Sequence, residues 1–112
     1  MSNSLRGLYY GQFEEPTWVE FDNTLEAKQE LVEGLIEFVS LSAFGGPDAE
    51  LIVNEEGKFM FPGNRAIGEF KDIVAGPFVV VGPCNEEGYS TSLSQEIAEE
   101  VKDFLKYRVI SL

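Results

Sequence analysis

The amino-acid sequence predicts a single α+β domain, in which an antiparallel or mixed sheet of about five to six strands carries two helices packed on one face. Short runs of β-branched and aromatic residues recur between breaks rich in Gly and Pro, as is typical of strands. Two longer segments instead repeat their apolar residues at helical spacing. Residues 1–112 contain no linker and no low-complexity tract, so we assign them all to one domain.

Two strands and a helix are predicted at the start of the chain. The strands are residues 8–10 and 17–21, separated by a break over residues 11–16. Asn23 and Glu26 form a capping-box pattern, in which each side chain satisfies a free backbone N–H of the other residue. The helix therefore begins at Asn23 and ends at Glu33, with Gly34 as its left-handed C-terminal cap.

The middle of the chain is predicted to be mainly strand. Residues 35–41 form one strand, and residues 42–48 form a loop. Residues 50–53 and 58–61 then pair as a hairpin, closed by the turn N-E-E-G with a positive φ at Gly57. A polar segment follows from Pro62.

The most apolar run and a second helix end the chain. Residues 72–82 form that run, and residues 78–81 lack alternation, which predicts a central strand covered on both faces. The helix spans residues 94–107, capped by Ser94 itself or by Ser92 with Gln95. The apolar tail at Val109, Ile110 and Leu112 is either a short strand or a docked extension.

Composition excludes several classes of chemistry. The chain has no His, which rules out a Ser-His-Asp triad, a His-bearing zinc site and imidazole acid–base catalysis. Cys84 is the single cysteine, so an intrachain disulfide and a thiolate metal cluster are also excluded. We therefore predict no catalytic residues, no metal and no cofactor.

Charge and hydropathy restrict the partners and the location. A net charge of −12 disfavours direct binding to nucleic acid or to an anionic membrane, and it favours a basic partner. A signal peptide and a membrane-spanning segment are not indicated. The sequence thus predicts a cytoplasmic protein.

Four segments occur in a characteristic order along the chain: NTLEAKQELVEGLIE, VNEEGK, PGNRA and DIVAGPFVVVG. This order resembles a small family known as domain-of-unknown-function family 3846, whose members belong to phages, plasmids and integrated elements. The resemblance covers most of the chain and implies an accessory role in a mobile element, without implying an activity. The longer N-terminal strand pair and the G-G-P segment at Gly45 depart from the family pattern.

Acidic side chains at helical spacing are the first candidate site. They are Glu26, Glu30 and Glu33 on the first helix, and Glu96, Glu99, Glu100 and Asp103 on the last helix. Spaced carboxylates on a rigid helix can occupy a basic groove of a host protein, so the chain would be a noncatalytic antagonist of defence or transcription. The alternative is a solvated helix face that keeps a small protein soluble, since Lys28 and Lys102 interrupt the acidic rows.

Asn64 and Arg65 are the second candidate site, placed by the sequence in a Gly-flanked turn. Arg binds oxyanions bidentately, so the chain would sequester an anionic, nucleotide-like molecule there. The alternative is a structural role, in which Asn64 turns the backbone and Arg65 pairs with Asp72 or Glu69.

An aromatic group near the N-terminus is the third candidate, formed by Tyr9, Tyr10, Phe13 and Trp18. Aromatic side chains are enriched at interfaces, so this N-terminal aromatic edge would join copies of the chain in a homo-oligomer. The alternative is ordinary packing inside the domain.

Overall fold

The computed structural model describes residues 3–68 and 72–109, and it confirms the α+β class. The strands are β1 (Ser4–Tyr10), β2 (Thr17–Asp22), β3 (Ile36–Ser40), β4 (Glu50–Asn54), β5 (Gly63–Ile67), β6 (Asp72–Ala75) and β7 (Phe78–Val81). The α-helices are α1 (Leu25–Val32), α2 (Gly57–Met60) and α3 (Gln95–Phe104), and a 3-10 turn covers Leu41–Phe44. None of the described helices has the length and apolar character needed to cross a membrane.

A five-stranded sheet organises the domain, in the order β2-β1-β7-β4-β3 with every neighbour antiparallel. The predicted central strand is confirmed, because β7 lies in the middle and all four of its residues are buried. Covering on both faces explains why this strand has no polar alternation. The predicted N-terminal strand pair is also confirmed, as the hairpin of β1 and the edge strand β2.

The two long helices cover opposite faces of the sheet. Val32 of α1 packs in a cluster with Ile52 and Val79, whereas Val101 of α3 packs in a cluster with Leu51 and Val80. Successive residues of a strand point to opposite faces, so the two clusters lie on different sides. The expectation that both helices share one face is therefore wrong, because the apolar central strands expose two faces and each requires its own cover.

A second, two-stranded sheet lies on the α3 side. Here β5 pairs with β6, and Ile67 and Val74 join the same cluster as α3. The predicted apolar run over residues 72–82 is thus two strands in two sheets, divided at Gly76, which has a φ of +81°.

The C-terminal segment runs beside the other edge of β5. The Ala66 N–H donates to the Tyr107 carbonyl, and the Val109 N–H donates to the Asn64 carbonyl. Val109 therefore pairs like a strand, while Ile110 and Leu112 lie outside the described residues.

Helix α1 begins and ends one residue away from its predicted caps. Thr24 is the N-cap, and its Oγ1 accepts from the Ala27 N–H at 3.2 Å. Glu33 is the left-handed C-cap, with a φ of 61°. Gly34 serves a different need, since a Cβ there would lie 2.6 Å from Asn54 Nδ2. For α3 the predicted Ser94 cap is confirmed, as Ser94 Oγ accepts from the Ile97 N–H.

The hairpin predicted around N-E-E-G is wrong. Residues 57–60 form α2, and β4 pairs with β3 and β7. Asn54 turns its side chain towards α1, where Nδ2 donates to the carbonyls of Val32 and Glu33. Gly57 lacks a positive φ, and a Cβ there would lie 2.5 Å from the Ala75 carbonyl oxygen. Close packing, not turn geometry, therefore requires a glycine at this position.

Candidate anion-binding site

Arg65 lies on β5 and is only 3% exposed, enclosed between β6 and the C-terminal segment. Its Nη1 donates to the Asn64 carbonyl at 3.1 Å and to Asn64 Oδ1 at 2.8 Å, and its Nη2 donates to the Glu14 carbonyl at 3.1 Å. Within the described residues no carboxylate pairs with it. Burial lowers the pKa of Arg65, partly offset by Tyr10, but a guanidinium remains charged at neutral pH.

Asn64 holds Arg65 in place and is itself 2% exposed. Its Nδ2 donates to the carbonyls of Tyr10 at 3.0 Å and Gly76 at 2.9 Å. Both N–H groups of the amide are therefore engaged within the protein. The predicted turn is wrong, since both residues lie inside β5. Of the two carboxylates proposed for Arg65, Asp72 pairs with Lys58 at 2.8 Å, and Glu69 lies outside the described residues.

Tyr10 places its aromatic ring beside Arg65 and carries a buried hydroxyl. The residue is 1% exposed, and its ring stacks on Phe78 with centroids 4.7 Å apart. The Arg65 guanidinium lies 5.1 Å from the centre of the same ring. The hydroxyl has no hydrogen-bond partner in residues 3–68 and 72–109. Burial raises the pKa of Tyr10 to about 12, against an opposing effect of Arg65, so the hydroxyl is a protonated donor at neutral pH.

These groups line a cavity of about 170 Å³, which we call the Tyr10–Arg65 pocket. Its walls include Tyr10, Glu15, Arg65, Lys102, Lys106 and Arg108. Four of the eight Lys and Arg residues of the chain thus surround one small cavity in a protein of net charge −12. Arg108 pairs with Glu15, while Lys102 and Lys106 make exposed ion pairs with Glu99 and Asp103. Exposed pairs of this kind are weak, so the lysines can turn towards a ligand.

Sequence reasoning proposed Arg65 as an anion-binding residue, but it did not place Tyr10, Lys102, Lys106 or Arg108 beside Arg65. One feature of the sequence could have indicated these cations, since residues 102–108 contain three of the eight Lys and Arg residues of an acidic chain. The proximity of this group to Arg65 depends on pairing between β5 and the C-terminal segment, which is a long-range contact.

A slightly larger cavity of about 200 Å³ lies between β3 and β6. Its walls are mainly apolar, with Glu37 and Glu55 at its margin and Lys58 engaged by Asp72. The buried polar atoms that lack a partner in the described chain are on Tyr10 and Gln12, and neither residue lines this cavity. The Tyr10–Arg65 pocket is therefore the better candidate for an anion-binding site.

The acidic residues predicted as a protein-binding surface are all exposed, but they form two separate surfaces. Glu26 and Glu30 lie on α1 and Glu33 is its C-cap, whereas Glu96, Glu99, Glu100 and Asp103 lie on α3. Because α1 and α3 cover opposite faces of the sheet, one flat partner cannot contact both sets.

The N-terminal aromatic residues do not form one surface either. Tyr10 is in the core, and Phe13 is exposed in the loop between β1 and β2. Trp18 is partly buried, and the Cζ atom of Arg6 lies 3.7 Å from the centre of its ring. Cys84 is an exposed free thiol. Among the residues that the structure describes, no group of three or more His, Cys, Asp or Glu side chains could hold a metal ion.

A family model described as Domain of unknown function (DUF3846) matches residues 5–106. The chain belongs to this family, which confirms the resemblance seen in the sequence. No curated protein and no solved structure matches the chain.

Proposed function

We propose that the protein is a noncatalytic binding protein that holds a small anion in the Tyr10–Arg65 pocket. The observation that carries this proposal is the burial of Arg65 without a carboxylate partner in the described chain. Burying a charge is costly unless it is paired, and carbonyl oxygens compensate only part of that cost. A bound anion would supply the missing charge.

Pocket size restricts the ligand. Pockets for drug-sized molecules have volumes of about 300–1,000 Å³, whereas this cavity has about 170 Å³. A small oxyanion fits entirely. A nucleotide-like ligand would place only its anionic group inside and leave the remainder at the surface.

Replacing Lys102 by Gln is expected to weaken anion binding about fivefold, because the variant loses a cation worth about 1 kcal/mol at the pocket. The measurement is the rise in unfolding temperature caused by inorganic phosphate, sulfate or malonate, converted to a dissociation constant by linkage.

Lys58→Gln is the matched control for this experiment. Lys58 also makes an exposed ion pair with a neighbouring carboxylate, but it does not line the Tyr10–Arg65 pocket. Equal weakening by both substitutions would show that the anions respond only to net charge, and the proposed site would then be wrong.

A second candidate function is docking of α3 onto a basic site of a host protein, as an antagonist of defence or transcription encoded by a phage or other mobile element. The observation that favours it is the exposure of all four carboxylates on α3, two of which, Glu96 and Glu100, make no ion pair with described residues. We propose a cytoplasmic setting for either function, since the free thiol of Cys84 suits a reducing compartment.

Changing Glu96, Glu99 and Glu100 to Gln and Asp103 to Asn is expected to abolish capture of a basic partner from a bacterial lysate. The wild-type protein should lose the same partner between low and high salt, because exposed charges are screened. The matched control changes Glu26, Glu30 and Glu33 to Gln on the opposite face. A partner retained by the α3 variant would contradict docking through α3.

A further inference from the structure

The Tyr10–Arg65 pocket presents donors from several directions around one small space. Tyr10 comes from β1, Arg65 from β5, Lys102 from α3, and Arg108 from the C-terminal segment. Arg65 itself keeps two N–H groups, on Nε and Nη2, that make no hydrogen bond to a described residue. Both N–H groups can donate to an oxyanion, as an arginine guanidinium does when it binds phosphate or carboxylate.

We infer that the anion is a phosphate dianion, either free or at the end of a small phosphorylated molecule. This inference rests on the proposed anion-binding function and adds the chemical class of the ligand. A carboxylate is planar and has two oxygens, which one Arg fork can satisfy. A phosphate presents three terminal oxygens at tetrahedral angles, which suits donors arriving from separate elements.

Local charge also favours a dianion. Four cations and one carboxylate, that of Glu15, line the cavity. Lys102 and Lys106 make only exposed ion pairs. The Nζ–carboxylate distances are 3.4 Å from Lys102 to Glu99 and 3.5 Å from Lys106 to Asp103. A doubly charged ligand would gain from each cation, whereas a monoanion would leave more of them without a counterion.

The pH dependence of binding tests the charge of the ligand directly. The chain has no His, the side chain that ordinarily titrates between pH 5 and 8. The titratable and charged residues that line the cavity are Tyr10, which is neutral, the cations Arg65, Lys102, Lys106 and Arg108, and the carboxylate of Glu15. A change in affinity across this range therefore reports the ionisation of the ligand.

The experiment uses methyl phosphate, whose second ionisation has a pKa of about 6 as for a phosphorylated side chain. The dianionic fraction rises about tenfold between pH 5 and pH 7, so its affinity should rise about tenfold. Sulfate is a dianion throughout this range, so its affinity should stay constant. The affinities of inorganic phosphate and adenosine monophosphate are also compared. This comparison shows whether the protein prefers the free ion or a phosphorylated molecule, since the two ligands differ only in the part that lies outside the pocket.

Tyr10→Phe tests the buried hydroxyl. The variant keeps the ring that stacks on Phe78, and it should bind methyl phosphate about tenfold more weakly. Without ligand its unfolding temperature should not fall, because the lost hydroxyl has no partner in the described chain. Tyr89→Phe, at an exposed tyrosine, is the control and should change neither value.

The outcomes separate the inference from the proposed function. If methyl phosphate, sulfate and malonate all fail to stabilise the protein, the anion-binding function is wrong. If sulfate or malonate binds but methyl phosphate binds no better at pH 7 than at pH 5, only the phosphate inference is overturned. Unchanged methyl phosphate affinity in Tyr10→Phe, together with a lower unfolding temperature, would show that the hydroxyl has a structural role and would also overturn it.

Discussion

Replacing Asn64 by Ala is expected to lower the free energy of unfolding by about 3 kcal/mol, because three buried hydrogen bonds of its side chain are lost together. Nδ2 donates to the carbonyls of Tyr10 and Gly76, and Oδ1 accepts from Arg65. Alanine would leave these buried groups without that partner, and a buried group left unsatisfied costs about 1–3 kcal/mol. Urea unfolding of both proteins measures the difference.

Asn85→Ala is the matched control. Asn85 Oδ1 also accepts two hydrogen bonds, from the N–H groups of Glu87 and Tyr89, but it lies in an exposed loop where water can replace them. We expect this variant to lose less than about 1 kcal/mol. If Asn64→Ala were no more destabilising than Asn85→Ala, the side chain of Asn64 would not join the two sheets as described.

The position of Asn64 also explains how the two sheets meet. Its three bonds link β1 of the large sheet, β5 of the small sheet and the turn between β6 and β7. The same bonds fix Arg65 at the pocket. Anion binding should therefore fall in Asn64→Ala as a consequence of altered position, without a direct contact between Asn64 and the ligand.

Local patterns in the sequence were enough to predict several elements. The apolar spacing in α3 and the Ser94 cap depend on neighbours within one or two turns, and both were predicted correctly. The central strand β7 was found from its uninterrupted apolar run, which reflects burial on both faces. In each case the residues that carry the pattern lie inside the element or directly beside it.

Features that depend on distant contacts were not predictable in this way. Asn54 resembles a turn residue, but its amide binds the C-terminal end of α1 more than 20 residues away in sequence. Gly57 resembles a turn glycine, but it is needed for close approach to Ala75. Likewise, the faces covered by α1 and α3 follow from strand order, which local patterns do not specify.

The candidate site likewise combines a feature visible in the local sequence with features that depend on distant contacts. Arg65 was singled out because a cation beside glycine and asparagine is unusual in an acidic chain. Its burial and its position beside Tyr10 and α3 arise from three elements distant in sequence. Residue types thus predicted an anion site at Arg65, whereas the burial of Arg65 and the other residues of the Tyr10–Arg65 pocket follow from tertiary structure.

Replacing Phe78 by Ala is expected to have the largest effect on stability, lowering the free energy of unfolding by about 3–5 kcal/mol. Phe78 is fully buried in the central strand, and its ring is nearly parallel to that of Tyr10, at an interplanar angle of 6°. Alanine would remove a large apolar side chain and leave a cavity between the sheet and α3. Thermal and urea unfolding both measure the loss.

Phe59→Ala is the control for Phe78→Ala, because Phe59 is 92% exposed on α2 and its truncation should change stability by less than about 0.5 kcal/mol.

Phe78→Leu separates packing from ring stacking. Leucine refills much of the cavity but removes a stacking interaction worth about 0.5–1.5 kcal/mol, which frees the Tyr10 ring. This variant should therefore unfold at a temperature between those of Phe78→Ala and wild type, and it should bind anions more weakly than wild type. If it bound them as tightly as wild type, the stacked ring would not be what holds the Tyr10 hydroxyl in the pocket.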